Sequence, residues 1–377
     1  MSTLAMQGVA NRVFTATALQ TSTRTGSARA HSLRAVAFGV VLLLLLCAIA
    51  LLGRMPAMVG RAYTPFVWIE RKTVVPDQAL LPDSIKVYEG FSSYEDGAPL
   101  RAWYVDVDYN DKGLAARSVL SNDVSGKEVA SSMAKKVGAL VAINGGYFDM
   151  SSNPARTFSL VQNDGRVLVP NIAQVTRTGR KYSVTRSAFG IRRDRTSDVA
   201  WVAHIPDSTG KTSLYAYDEP VRNTTTFVAN APSVMSPRGA RLWDAVDAIG
   251  GGPTLISNGQ IIDTYENEVF FGAGFPNALP YPRAAIGYTR DNHLILFATD
   301  GKQPFISMGL TLARLAEEMK SLGCVEAMNL DGGGSETLVL EGRAINHPSD
   351  GRERRITSIF AIVPVAIANV PVAATTP

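Results

Sequence analysis

The sequence predicts an α+β fold: a mixed, largely antiparallel sheet with few helices, forming a single catalytic domain behind one N-terminal transmembrane helix. Three observations carry that expectation. Short apolar runs bounded by turn residues recur from Ile85 onward and greatly outnumber helical patterns. They do not alternate regularly with helices, which argues against a doubly wound parallel sheet. Residues 35–52 form an uncharged apolar run between Arg34 and Arg54, the length a helix needs to cross a bilayer.

In chain order, residues 1–34 read as a basic tail, with Arg12, Arg24, Arg29 and Arg34 and no Asp, Glu or Lys. Without those four arginines, the 37 basic and 33 acidic residues of the chain come into balance. The basic character therefore concerns membrane topology and gives no reason to expect a nucleic-acid partner. Residues 35–53 read as an uncleaved signal anchor. A cleaved signal with Ala48-Ile49-Ala50 is the alternative, but the apolar run continues through Leu51 and Leu52. A lipoprotein site at Cys47 would want a small residue where Leu46 stands. Basic residues flank both ends, Arg24, Arg29 and Arg34 against Arg54, Arg61, Arg71 and Lys72. Charge bias thus barely orients the helix, and the expectation is an N-terminus inside with the domain outside the cytoplasm. Cys47 lies in this run, so it has no intramolecular bridge to Cys324, and the fold must stand on its core.

Residues 54–82 contain Pro56, Pro65, Pro76 and Pro82 and read as a stalk. The domain follows over residues 83–365. Strands are expected over residues 100–107, 139–143, 158–162, 187–191, 199–204, 245–249, 284–288 and 294–298. Asn163-Asp164-Gly165 and Ser257-Asn258-Gly259 have the composition of hairpin turns. One helix is expected from Thr311 to Leu322, where Leu312, Leu315, Ala316, Met319 and Leu322 share a face and Gly323 can close the end. A second is expected over residues 126–137. Residues 366–377 read as a frayed tail.

The domain is organised around Asn329-Leu330-Asp331-Gly332-Gly333-Gly334-Ser335-Glu336, between apolar runs at residues 324–330 and 337–340. Two strands joined by a glycine-rich turn is the natural reading. Three glycines exceed what a hairpin needs, so a close ligand approach is expected, with the N–H groups of Gly333, Gly334 and Ser335 aimed at an anion. A glycine-rich bulge or barrel corner is the structural alternative. Asn144-Gly145-Gly146-Tyr147-Phe148-Asp149 and Gly250-Gly251-Gly252-Pro253 repeat the arrangement, which suggests three strand ends sharing one rim.

Several schemes are excluded. There is no P-loop, Thr337 breaks the nucleophile-elbow pattern around Ser335, and the four histidines lack zinc-ligand spacing. Carboxylates, amides and arginines remain: Asp149, Asp300, Asp331, Glu336 and Asp350 at strand ends or turns, with Arg283 and the Arg352-Glu353-Arg354-Arg355 cluster as phosphate forks. That set suits hydrolysis of an anionic sugar derivative. No cofactor follows from it, and a structural or catalytic divalent ion stays open.

The motif at residues 144–149, with Gly250-Gly251-Gly252-Pro253-Thr254-Leu255, Arg283-Ala284-Ala285-Ile286-Gly287, Asn329 to Ser335 and Asn346-His347-Pro348-Ser349-Asp350, resembles the phosphodiester glycosidase family. The resemblance spans roughly residues 139–364. It implies hydrolysis of a sugar-1-phosphodiester at the anomeric carbon, on a phosphorylated glycan, with Asp331, Asp300 or Asp149 facing the sugar. It also implies substrate contacts from Asn144, Gly145, Gly146, Tyr147, Arg283, Asn329, Gly332, Gly333, Gly334, Ser335, Asn346, Ser349, Asp350 and Arg354. Two alternatives stand beside it: a non-catalytic glycan-binding or assembly protein of the cell envelope, and a phosphodiesterase that cuts at phosphorus.

Overall fold

In the strand Pro99–Asp108, residues Leu100, Ala102, Trp103, Val105 and Val107 are buried, close to the two-residue period that puts one face of a strand on a core. This strand is central to the first of the three larger sheets in the computed structural model, which describes residues 62–72, 81–206 and 208–368; three two-stranded antiparallel ribbons stand beside them. The first sheet has eight strands in the order Val67–Glu70, Ile85–Ser93, Pro99–Asp108, His293–Thr299, Arg283–Thr289, Cys324–Asn329, Thr254–Ser257 and Gln260–Ile261. The second, of seven strands, runs Arg166–Val169, Val161–Asn163, Ala245–Gly250, Arg186–Arg192, Ser197–Pro206, Thr212–Tyr217 and Arg241–Leu242. The third has five: Arg343–Ala344, Leu338–Leu340, Val141–Asn144, Ser358–Pro364 and Leu114–Leu120. Neighbours in all three pair antiparallel, so no mixed sheet occurs among the described residues. Val105, Leu296 and Met328 of the first sheet share one core with Phe189 and Ile249 of the second and Leu338 and Phe360 of the third.

Local signals set several elements as expected. At both hairpin turns the central pair is left-handed, Asp164 and Gly165 at φ 47 and 73, Asn258 and Gly259 at φ 52 and 72, as two-residue turns between twisted strands require. The helix Leu312–Ser321 is capped by Thr311, whose Oγ1 accepts from the Arg314 N–H at 3.2 Å, and Gly323 follows it at φ 88. Other elements shift. The expected helix over residues 126–137 forms only at Ala130–Lys136, because Glu128 and Val129 pair with Ile356 and Arg355. The strand expected from residue 158 begins at Val161, since the Leu160 N–H donates to Asn171 Oδ1 and Ser159 Oγ accepts from the Tyr147 N–H.

Two expectations are corrected. The apolar runs around the triple glycine do not form a hairpin: Cys324–Asn329 pairs within the first sheet, whereas Leu338–Leu340 pairs with Val141–Asn144 in the third. The glycine segment is a crossing between sheets, closed by a 3₁₀ turn at Gly333–Ser335. Part of the expected stalk is also folded. Val67–Glu70 pairs with Ile85–Ser93, Phe66 is buried, and Trp68 lies over Gly90, where a Cβ would overlap its ring. The basic tail, the apolar run over residues 35–53 and residues 369–377 lie outside the described residues, among which no helix is long and apolar enough to cross a membrane.

Candidate active site

The three glycine-rich strand ends meet. The Asp331 N–H donates to the Gly145 carbonyl at 3.2 Å, and the Gly252 N–H donates to the Asn329 carbonyl at 2.7 Å. A side chain at Gly146 would collide with the Gly250 carbonyl, and one at Gly251 with the Asn329 carbonyl. Here glycine is needed because backbones touch. Two amide side chains brace the junction. Asn144 Nδ2 donates to the Asp331 carbonyl at 2.7 Å while its Oδ1 accepts from the Thr337 N–H at 3.0 Å. Asn329 Nδ2 donates to Tyr147 Oη at 2.8 Å and the Gly252 carbonyl at 3.1 Å, and the Tyr147 hydroxyl donates to that carbonyl at 2.7 Å.

A cavity of about 390 Å³ opens at this junction. Its aromatic wall is Tyr147, Phe270 and Phe275, with ring centroids 5.2–5.5 Å apart. Among its lining residues Asp331 is the sole carboxylate, facing four arginines: Arg177, Arg186, Arg283 and Arg354. Asp331 keeps part of its surface open, yet protein encloses the carboxylate. Burial pushes its pKa up to about 6, against the pull of the Ser335 hydroxyl, the Gly332 N–H and the Arg354 charge. It is thus ionised at neutral pH but close to its midpoint.

The glycine turn does not offer the expected row of free N–H groups. The Gly333 N–H donates to the Pro282 carbonyl at 3.0 Å, and the Ser335 N–H to the Gly332 carbonyl at 3.2 Å. Its glycines answer to packing instead. Gly333 has φ 62, with the Tyr281 ring 3.0 Å from where a Cβ would stand; a Cβ at Gly334 would collide with Arg354 and Asp350. Arg283 is likewise committed, 1% exposed, with Nε donating to the Leu310 carbonyl at 3.0 Å and Nη2 to those of Pro276 at 2.5 Å and Leu279 at 3.3 Å. Its guanidinium ties down one cavity wall. Arg354 is paired with Asp350 at 2.7 Å and reaches Ser335 Oγ at 3.4 Å.

Of the residues singled out from the sequence, Tyr147, Arg283, Asn329, Asp331, Gly332 and Arg354 line the cavity. Asn144, Gly145, Gly146, Gly333, Gly334 and Ser335 are not among the lining residues, though Asn144 and Gly145 hydrogen-bond to the Asp331 backbone. Asp149 is not part of the lining, although Phe148 and Met150 on either side of it are; it accepts from Ser151 at 2.6 Å and lies 3.8 Å from Arg156. Asp300 and Glu336 are fully buried on the far side of the turn, bridged by Asn346, whose Nδ2 donates to Glu336 Oε2 at 2.8 Å. The His347 N–H donates to Asp300 Oδ1 at 2.7 Å. Burial raises both acids, and Asp300's proximity raises Glu336 further. Asn346, half-buried Ser349 and exposed Asp350 are not part of the lining.

Arg186 was not legible as a site residue. It opens the strand Arg186–Arg192, is 6% exposed, and stacks on Phe270 with the guanidinium carbon 3.8 Å from the ring centroid. Nε and Nη1 are buried without hydrogen-bond partners. The one signal in the sequence is an arginine two residues ahead of the run Ala188-Phe189-Gly190-Ile191.

Residues 137–363 match the phosphodiester glycosidase family. A mouse (Mus musculus) protein named N-acetylglucosamine-1-phosphodiester alpha-N-acetylglucosaminidase is 31% identical over 214 residues, 56% of this chain and 34% of its own length. The human (Homo sapiens) protein of that name is 30% identical over 253 residues, 67% of this chain and 40% of its own. The chain thus spans well under half the length of these relatives. A solved structure of a hypothetical protein from Synechocystis shares the fold, with a TM-score of 0.54 at 18% identity over 74% of this chain and 62% of that one. With more than half of its length matched, this chain belongs to the phosphodiester glycosidase family.

Proposed function

We propose that the protein hydrolyses a sugar-1-phosphodiester at the anomeric carbon, as the names of its mammalian relatives describe for an N-acetylglucosamine phosphodiester. The observation that carries this reading is the cavity's charge: one buried carboxylate, Asp331, among four arginines. The C1–O bond breaks with its electron pair going to the phosphate oxygen, and water supplies the new C1–O bond. The products are a free sugar and a phosphomonoester. Asp331 stabilises or attacks the oxocarbenium-like centre. A phosphate leaves as a weak base, so a second carboxyl acting as acid is not required; positive charge is. Asn329, which lines the cavity with Oδ1 buried and unpartnered, fits a hydroxyl or amide N–H of the sugar.

Hydrolysis in ¹⁸O-water tests the bond that breaks. Label in the free sugar is the expected result. Unlabelled free sugar with label in the phosphomonoester, or sugar-1-phosphate that carries the label beside a phosphate-free alcohol, would replace this reading with cleavage at phosphorus. We further propose that residues 35–53 anchor the domain outside the cytoplasm, where a glycan of the cell envelope or an exopolysaccharide is the substrate. A C-terminal reporter active only in the cytoplasm would refute that placement.

A further inference from the structure

Of the four cavity arginines, two have their donors engaged by the fold. Arg354 faces Asp350, and Arg283 donates to three carbonyls. The other two differ. Arg186 has two buried nitrogens without partners, Arg177 has its buried Nε without one, and both line the cavity. They lie within electrostatic reach of each other, so each charge disfavours the other. Glu268, the acid whose charge reaches Arg186, is not ion-paired with it. Its oxygens accept instead from the Ser187 and Thr254 N–H groups, the Ser187 and Thr264 hydroxyls and the Trp201 indole N–H, at 2.7–3.1 Å. Buried guanidinium nitrogens without acceptors are costly, and two like charges on one wall compound that cost.

The side chain is nonetheless held in place. Arg186 sits in register opposite Val202, its carbonyl accepts from Asn171 Nδ2 at 3.2 Å, and Phe270 lies flat against the guanidinium. A held guanidinium with unpartnered N–H groups is what charge-assisted recognition of an oxyanion uses. Tyr147 lines the same cavity and lies within electrostatic reach of Asp331, Arg283 and Arg186.

We propose that Arg186, assisted by Arg177, is the cradle for the substrate's phosphate, and that Arg283 and Arg354 shape the site without receiving that group. In naming the oxyanion as a phosphodiester, this rests on the hydrolytic reading above. It also assigns a direction to the substrate: phosphate toward the Arg186 strand, sugar toward Asp331 and Asn329.

The test uses the full chain, with inorganic phosphate as the probe and two substrates, a sugar-1-phosphodiester and a neutral aryl glycoside of the same sugar. Phosphate is expected to raise the melting temperature of the wild type, and of Asp331→Asn, and to do so far less in Arg186→Gln. On turnover, Arg186→Gln is expected to lose about 30-fold more kcat/KM on the phosphodiester than on the neutral glycoside, the scale of losing one charge-assisted contact. Arg186→Lys keeps the charge without the fork and should fall between. If Arg186→Gln does not fold, Arg186→Lys and the less buried Arg177→Gln decide by the same readouts. Unchanged phosphate affinity in these variants, or equal losses on both substrates, overturns the proposal. The two readings fail separately. A wild type that cleaves neither substrate, but whose phosphate response vanishes in Arg186→Gln, retains the cradle and removes the hydrolytic reading. Normal turnover with a phosphate response indifferent to Arg186 does the reverse.

Discussion

Asp331 and Glu336 are five residues apart, at opposite ends of one glycine turn, and have opposite environments. Asp331 opens onto a cavity lined by arginines, and its pKa rises only to about 6. Glu336 is fully buried beside Asp300, with Asn346 bridging them and outside the lining of that cavity, and its carboxyl is held far toward the neutral form. The contrast teaches that burial by itself does not bring an acid to a ligand. What separates the two is access to a ligand and a local field that keeps the carboxylate ionised.

The largest expected effect tests the Asp331 half. Asp331→Asn should lower kcat by about 10²-fold or more, the scale of losing one electrostatic stabiliser, while the melting temperature does not fall. Near-normal turnover would end the assignment of this turn as the active centre. The second test uses pH. Asp331 must be ionised to work, so activity should rise with pH along a limb centred at about 6. Arg354 pulls that value down, so Arg354→Gln should move the limb to higher pH. A limb that stays in place would remove Asp331 or Arg354 from the titration.

The third test concerns Arg283, whose guanidinium holds the carbonyls of Pro276, Leu279 and Leu310. Arg283→Lys cannot reproduce that fork, and about 1–3 kcal/mol of stability should be lost with the unmade buried hydrogen bonds. Chemical denaturation should show this more strongly than the turnover of folded molecules does; the opposite ranking would return Arg283 to phosphate binding. The smallest effect tests Glu336. Its folded pKa is raised, so the native state holds the proton more tightly than the unfolded chain, and stability declines as pH rises above the unfolded value. Glu336→Gln mimics the protonated form. Its melting temperature should match the wild type in acid and exceed it by a few degrees, about 2–4 °C per kcal/mol, at alkaline pH. A variant less stable at every pH would mean that Glu336 works as an anion.

What could be read from the sequence was what neighbours in the chain decide. Thr311, Gly323 and the two Asn- and Asp-centred hairpin turns act over a few residues, and the corresponding elements stand where those residues place them. The glycine crossing was misread because apolar runs on either side of a turn look alike whether they pair with each other or with distant strands. Pairing of Leu338–Leu340 with Val141–Asn144 is settled by nearly two hundred intervening residues, roughly the span separating Asn144 from Asp331. Convergence of the glycine-rich ends was legible because three similar motifs at strand ends imply a common rim. The division of labour among the arginines was not. Whether a guanidinium is spent on carbonyls, like Arg283, or left without acceptors, like Arg186, depends on loops far away in sequence.

The strand Val67–Glu70 has a practical consequence for anyone preparing the domain without its N-terminal region. Cutting at residue 82, where the proline-containing segment ends, would remove buried Phe66 and the strand that carries Trp68 and bare the main-chain edge of Ile85–Ser93. An uncovered edge of that length is a template for pairing with other chains, and self-association is the expected result. A soluble version that begins ahead of Ala62 keeps its own edge covered, together with the Tyr63–Glu318 hydrogen bond that fastens this segment to the helix Leu312–Ser321.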